Sequence, residues 1–187
     1  MLCVAPARLL LAFALVVCVT LIVAAPAGAK RKAPCADAHV TPDATNLDAV
    51  GSAVLCLHNR ARSARGLPTL KVHVQLRAAA EEHAVHMVEA SFFSHDEPGG
   101  ADMVARVLGT GYAKGAGWSL GENIAYGTGD AATAAEIHRS WMRSPGHRAN
   151  ILRRQFREVG IGVAVGAPVA AQDGVAATYT ADFGVRR

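Results

Sequence analysis

The sequence predicts an α+β domain in which helices pack on a small sheet. Two observations support this class. Apolar residues recur at helical spacing between residues 47 and 143, and the pattern changes to strict alternation after residue 158. Helices that come first and strands that come last are typical of helices packed on one sheet.

The first 29 residues predict a secretory signal peptide. An almost unbroken apolar run, Leu9 to Ala25, follows Arg8, and Ala27-Gly28-Ala29 is a small-x-small cleavage pattern. An uncleaved membrane anchor is the alternative, because the run is close to the shortest that can span a bilayer. We therefore expect a secreted, extracellular protein without a membrane span after cleavage. Attachment to the envelope by an uncleaved N-terminal segment is the alternative.

The composition limits the partners of the remaining chain. Residues 30–187 are long enough for one domain with a buried core. The whole chain has 19 Lys and Arg against 15 Asp and Glu, which is a mildly basic balance. No long basic run or basic patch with interleaved aromatic residues is present, so we expect no nucleic-acid partner. We expect a monomer.

Two of the four cysteines predict a disulfide. Cys3 and Cys18 leave with the signal peptide, and Cys35 and Cys56 remain as a pair. An even pair in an oxidising compartment is typically bonded. The bond would attach an N-terminal arm, residues 30–45, to the first helix.

The domain is expected to span residues 46–187. The sequence of its first half predicts mainly helices. Apolar spacing starts a helix at Leu47, and Gly66 ends it. A second helix is predicted over roughly Val74 to Ala90, and a short one over about Ala101 to Leu108. The glycine-dense residues 109–129 predict a loop with one extended piece at 124–126.

A helix and two strands are predicted further along the chain. Asp130 is the predicted cap of a helix over about Ala131 to Arg143. The alternating residues after 158 and after 174 predict two antiparallel strands, joined through residues 172–174.

The stretch SWMRSPGHRANIL, residues 140–152, places a histidine at the start of another helix. Ser144 can cap that helix, and Pro145 suits its first position. His147 then lies at the positive end of the helix dipole, which favours the neutral imidazole. A neutral ring can bind a metal or accept a proton, although a histidine at such a position is often only structural.

Several ordered motifs resemble the CAP superfamily (cysteine-rich secretory, antigen 5 and pathogenesis-related proteins), specifically its bacterial SCP-like branch. The resemblance covers about Ala49 to Val185. The motifs are Leu57-His-Asn-Arg-Ala-Arg62 with Gly66-Leu-Pro68, Phe93-Ser-His95, Gly121-Glu-Asn-Ile-Ala125, Trp141 to Leu152, and Asp182-Phe-Gly184.

This resemblance implies a three-layer α-β-α sandwich with a central antiparallel sheet. It also implies a cleft in which two histidines and two glutamates meet and hold a divalent metal in some members. By their positions in the motifs, three of these four site residues correspond to His95, Glu122 and His147. The fourth group does not carry over, because Ser144 stands where many members have a glutamate, and Glu136 does not occupy that position.

Two functions follow from these residues. The first is a secreted module that binds a lipid, a peptide, a protein or a divalent metal in the cleft of His95, Glu122 and His147, with a role in defence, virulence or the envelope. The second is a zinc-dependent, protease-like hydrolase, since zinc accepts two imidazoles and one carboxylate with an open position for water. The resemblance brings no agreed reaction, so no catalytic activity is assigned. The structural alternative is that the three side chains form a hydrogen-bonded network whose only role is to fix the conformation of the loops.

Two other patterns have weaker interpretations. Gly117-Trp-Ser-Leu-Gly121 matches a nucleophile motif but lacks the preceding strand and following helix that this chemistry needs. Glu82 and His86 lie four residues apart on one helical face, which favours a surface ion pair over a metal pair. His83 falls on the apolar stripe and is expected to be buried with a hydrogen-bond partner.

Overall fold

Five helices and four strands make up the part of the chain that the computed structural model describes, residues 33–169 and 174–186. The expected signal peptide, residues 1–29, and the start of the arm lie outside the described residues. The helices are α1 (Leu47–Ser63), α2 (Val74–Glu89), α3 (Met103–Gly109), α4 (Ala134–Arg143) and α5 (Pro145–Leu152). The strands are β1 (Lys71–Val72), β2 (Trp118–Thr128), β3 (Glu158–Val165) and β4 (Ala176–Arg186).

The four strands form one sheet with the order β1-β3-β4-β2. The three long strands are antiparallel, as the family resemblance implied, and the two-residue β1 adds a parallel pairing at one edge. β2 pairs with β4 over its whole length, so Glu122 lies directly opposite Asp182. This register places the candidate glutamate beside a second carboxyl group.

Helices cover both faces of the sheet. Val159, Ile161 and Val163 of β3 belong to the main apolar core, together with α1, α4 and α5. The intervening Gly160 and Gly162 face α2, and a Cβ atom on either would overlap the backbone of that helix. Alternating residues therefore face opposite layers, and the domain is the expected three-layer sandwich.

The start of α4 differs from the prediction. Gly129–Ala132 form a short 3-10 turn, and α4 begins after Thr133, whose hydroxyl accepts a hydrogen bond from the Glu136 N–H at 3.4 Å. Asp130, the predicted cap, lies inside the turn and its carbonyl accepts from Thr133 instead. Helix α5 begins at Pro145 as predicted, but the Ser144 side chain makes no capping hydrogen bond.

Strand β2 is much longer than the extended piece predicted at 124–126. Its first half contains glycine and polar residues, which disfavour a strand by local pattern, but it pairs continuously with β4. Tertiary pairing overrides the local signal here.

The predicted disulfide is present and connects Cys35 to Cys56 on α1. Gly66 follows the C-terminal end of α1 and adopts a positive φ of 63°, a conformation that glycine adopts readily. Within residues 33–169 and 174–186, no helix is both long and apolar enough to cross a bilayer.

Candidate functional site

His95 and Glu122, two of the three predicted site residues, are in direct contact. His95 lies on the segment of residues 91–102, here named the cleft loop, and Glu122 projects from β2. The His95 Nδ1 atom is 2.6 Å from Glu122 Oε1, and the Glu122 side chain is only 1% exposed, against 51% for His95. The carboxylate therefore fixes an imidazole that faces solvent.

Arg106 of α3 completes this cluster. Its guanidinium donates to the second carboxylate oxygen, Glu122 Oε2, at 2.7 Å, and to the backbone carbonyl of His95 at 2.7 Å. The Arg106 side chain is 6% exposed, so this is a buried ion pair. One arginine thus holds both members of the His95–Glu122 pair in place.

The charges of the cluster are divided unevenly between two carboxyl groups. Burial by itself raises the pKa of Glu122, but the hydrogen bond from His95 and the charge of Arg106 outweigh it, and the net pKa is lowered. Burial and the neighbouring Glu122 raise the pKa of Asp182 well above its usual range. Glu122 is therefore the carboxyl group that loses its proton first, and Asp182, whose two oxygens have no hydrogen-bond partner among the described residues, keeps its proton to higher pH.

The two histidines also differ in their affinity for a proton. The hydrogen bond to Glu122 raises the pKa of His95. Burial, followed by the charge of His95, lowers the pKa of His147. Burial thus favours the neutral imidazole that was expected of His147.

His147 is attached to the site through two asparagines. Asn123 Nδ2 donates to the His147 carbonyl at 3.0 Å, and Asn150 Nδ2 donates to Asn123 Oδ1 and to the Glu122 carbonyl, both at 3.0 Å. These bonds tie the start of α5 to β2 beside Glu122. His147 is thus brought near the pair by its backbone and interacts with His95 through charge.

The cleft loop is anchored to α2 and α3 by polar contacts. The His83 Nε2–H donates to the Ser94 carbonyl at 2.9 Å, so the buried His83 has the partner expected of it. Glu97 Oε1 lies 3.3 Å from His86 Nδ1 and 4.0 Å from Arg106 Nε. His86 therefore pairs with Glu97 and not with Glu82, which is a correction of the predicted ion pair.

An open hollow of about 340 Å³ lies against the His95–Glu122 pair. Its walls carry three acidic side chains, Asp96, Asp102 and Glu122, and two apolar ones, Met103 and Val104. A separate hollow between α1 and α2 holds only about 60 Å³ and contains none of the predicted site residues.

The predicted three-ligand zinc set does not fit this arrangement. Both Glu122 oxygens are already bonded, one to His95 and one to Arg106. Among the described residues, no group of three or more His, Cys, Asp or Glu side chains is placed to hold an ion. Of the three predicted ligands, only the rings of His95 and His147 keep a free nitrogen for a cation, fewer than the three protein ligands of catalytic zinc sites.

Glu136 does not replace the glutamate missing at Ser144. Glu136 bonds to Arg139 on its own helix at 2.7 Å. Asp182 is the second carboxyl group of the cluster, and it comes from β4.

Sequence reasoning missed the roles of Arg106, Glu97 and the two asparagines. Asn123 and Asn150 lie inside the Gly121–Ala125 and Trp141–Leu152 motifs, so the sequence could have identified them as residues near the site. Arg106 lies in none of the motifs. Its pairing with Glu122 could not be predicted, because it depends on how α3 packs beside β2. The Gly117–Gly121 pattern lies at the start of β2, without a helix after it, so it forms no nucleophile turn.

The chain is similar to known proteins over most of its length. The model of the cysteine-rich secretory protein family, CAP, matches residues 55–179. The uncharacterized protein YkwD of Bacillus subtilis is 31% identical over 120 residues, which are 63% of this chain and 44% of that protein. The chain thus spans less than half the length of this curated relative.

Solved structures share the fold. An extracellular protein containing an SCP domain from Bacillus anthracis is 28% identical with a TM-score of 0.55, over 76% of this chain and 41% of that one. An outer surface protein of Borrelia burgdorferi is 18% identical with a TM-score of 0.55, over 72% of this chain and 90% of that one. A cysteine-rich secretory protein of Staphylococcus aureus is 18% identical with a TM-score of 0.51, over 75% and 40%.

Proposed function

The chain belongs to the cysteine-rich secretory protein (CAP) family, and on that premise we propose that it is an exported module that binds a peptide at the His95–Glu122 cleft. The observation that carries this is the hollow with an ionised, buried carboxylate at its base. Of the ligand classes that the sequence suggested, a peptide fits this hollow best.

The chemistry of the hollow favours an amine or guanidinium group on that peptide. Asp96 and Asp102 are exposed at its rim, and Glu122 is held ionised by Arg106. Met103 and Val104 offer an apolar surface for an adjoining side chain. A sterol or acyl chain would need an enclosed apolar cavity, which an open hollow with acidic walls does not supply.

Export is supported by three observations of different kinds. The N-terminal sequence predicts a signal peptide, the Cys35–Cys56 disulfide is of the kind formed in oxidising compartments, and the B. anthracis relative is described as extracellular. The proposal places the protein outside the cytoplasm, secreted or held at the envelope.

The test is a titration with a lysine-containing tetrapeptide, with a glutamate-containing tetrapeptide as the matched probe, followed by NMR. We expect the lysine peptide to shift the resonances of His95 and Met103. Asp96→Asn should weaken its binding about threefold, as the loss of one exposed charge contact does. Glu89→Gln removes the same charge from a different hollow, beside α2, and should leave binding unchanged. Equal binding of both peptides would contradict the proposal.

The zinc-dependent hydrolase has less support, because both oxygens of its only carboxylate ligand are engaged. Metal analysis of the purified protein separates the two functions. Stoichiometric zinc that His147→Ala abolishes would support the hydrolase and would overturn the peptide-binding proposal.

A further inference from the structure

Residues 49–80 and residues 137–157 are two of the long stretches of the chain that contain no acidic residue. Together they hold 11 of the 19 lysines and arginines. Six exposed arginines from these stretches are named here the arginine face: Arg65, Arg143, Arg148, Arg153, Arg154 and Arg157. The sequence contains no long basic run that would indicate this surface, because the two stretches are far apart along the chain.

The fold brings the two stretches together through the buried Arg62. Its guanidinium donates to the carbonyls of Ile151 at 2.8 Å, Arg153 at 3.0 Å and Phe156 at 3.0 Å. The end of α1 therefore adjoins the end of α5. The charge of Arg157 lowers the pKa of Arg62 together with burial, in agreement with their closeness.

The remaining arginines are close by because α5 is short. Its eight residues span about 12 Å. Arg143 ends α4 just before α5, Arg148 lies in the first turns of α5, and Arg153 and Arg154 follow its last residue. The six arginines thus come from the ends of α1 and α4, from α5 itself, and from the segment between α5 and β3.

These charges are not neutralised within the domain. In the part of the chain that the structure describes, no carboxylate lies within 4 Å of any of the six guanidinium groups. Arg65 and Arg157 bond to carbonyls of their own segments, and Arg153 lies over the Phe156 ring at 5.0 Å. The guanidinium groups of Arg143, Arg148 and Arg154 make no hydrogen bond or ion pair with the described residues, so these three can bind an external anion.

We infer that the arginine face binds the phosphate groups of an anionic lipid surface. A guanidinium group donates two parallel hydrogen bonds to the oxygens of one phosphate, and several arginines on neighbouring segments suit an array of headgroups. The partly exposed Trp118 lines a hollow beside Arg153, and indole rings favour the headgroup region of a bilayer. Single-stranded nucleic acid is less suited, because Trp141 and Phe156, the aromatic residues of stretch 137–157, are fully buried and cannot stack on bases.

The experiment is sedimentation of the full chain with vesicles of phosphatidylcholine, with or without 30% phosphatidylglycerol. Because every variant retains the same N-terminal segment, differences between variants report on the face alone. We expect binding to increase with phosphatidylglycerol. Arg148→Gln/Arg154→Gln should weaken it about 30-fold, since each arginine contributes about a factor of five near an anionic surface.

The matched control is Val74→Glu/Lys114→Gln, which changes the net charge by the same amount at exposed positions outside the face. It should change binding less than threefold. Equal weakening by both double variants, or equal binding to both vesicle types, would overturn the inference. A DNA duplex that binds as tightly as the anionic vesicles at the same ionic strength, with the same loss in Arg148→Gln/Arg154→Gln, would also overturn it in favour of nucleic acid. Since the peptide-binding hollow contains none of these arginines, failure of either proposal leaves the other intact.

Discussion

His58 and His138 form a buried pair that the sequence did not indicate. Their Nδ1 atoms are 3.0 Å apart, and His58 also stacks on Phe183 with ring centroids 5.8 Å apart. Burial lowers the pKa of His138 to about 4 and lowers that of His58 well below its usual value. Both rings are therefore neutral in the folded protein at pH 7.

This pair should make the domain sensitive to acid. Because the pKa of His138 is lower in the folded than in the unfolded chain, its contribution to stability is complete above about pH 6.5 and is lost as the pH falls toward 4. His138→Gln should therefore lose about 2 kcal/mol less of its free energy of unfolding between pH 7 and pH 4.5 than the wild type does. Urea denaturation at a series of pH values measures this.

The exposed His39 of the arm is the control for that series, and His39→Gln should follow the wild-type curve. If His138→Gln loses as much stability as the wild type over the same range, the assignment of acid sensitivity to this pair is wrong.

At the same scale, the residues of the cleft show how far motifs can predict a site. The motifs identified His95 and Glu122, and the structure places them in contact. Motif reasoning could not show that Arg106 occupies the other oxygen of Glu122, because that contact joins a short helix to a strand across a loop. It follows that the ligand role expected for Glu122 depended on a residue without a motif.

At the scale of elements, helices were easier to predict than strands. The bounds of α2 were predicted to within one residue, since the helical spacing of its apolar residues is a local signal. The two-residue β1 and the first half of β2 were missed, because each is a strand through the neighbour it pairs with. The turn predicted at residues 172–174 lies mostly outside the described residues.

Arg62 connects three elements and gives a second test. Its guanidinium bonds to four backbone carbonyls, one of Pro68 and three between residues 151 and 156. A lysine has three donors on one atom and cannot reach carbonyls arranged around a planar fork. Arg62→Lys should lower the free energy of unfolding by about 2–4 kcal/mol, since buried carbonyls lose their donors.

Chemical denaturation of Arg62→Lys beside Arg65→Lys checks this. Arg65 is exposed and, among the described residues, its side chain bonds only to the carbonyl of Ala61 in α1, so its exchange should change stability by less than about 0.5 kcal/mol. Equal effects of the two exchanges would show that the carbonyl contacts contribute little.

For the whole molecule, the three-layer arrangement was implied by the family resemblance and not by periodicity. Periodicity supported helices and a sheet but could not assign helices to the two faces. The alternation of glycine and branched residues in β3 carries that information, since Gly160 and Gly162 admit a helix backbone. This alternation shows which face a helix covers only when the strands that pair with β3 are known.

The disulfide stabilises the whole domain by closing a loop. Cys35 and Cys56 are 21 residues apart in sequence, and a loop of that length restricts the unfolded chain by about 3 kcal/mol. Reduction should therefore lower the thermal midpoint by roughly 6–12 °C for a domain of this size. Scanning calorimetry with and without reductant measures the shift. The Cys35→Ala/Cys56→Ala variant should reproduce it in both conditions, and a variant midpoint equal to that of the oxidised protein would contradict the prediction.

The contact between α2 and β3 limits how this protein can diversify. Because α2 rests directly on Gly160 and Gly162, no side chain separates the helix from the sheet at these two positions, and exchanges there cannot retune the spacing of the two layers. New ligand preferences must then arise in the cleft loop and at the half-buried start of α3, which do not rest on these glycines. Libraries for altered recognition should therefore randomise residues 96 and 102–104 and leave the strand glycines untouched.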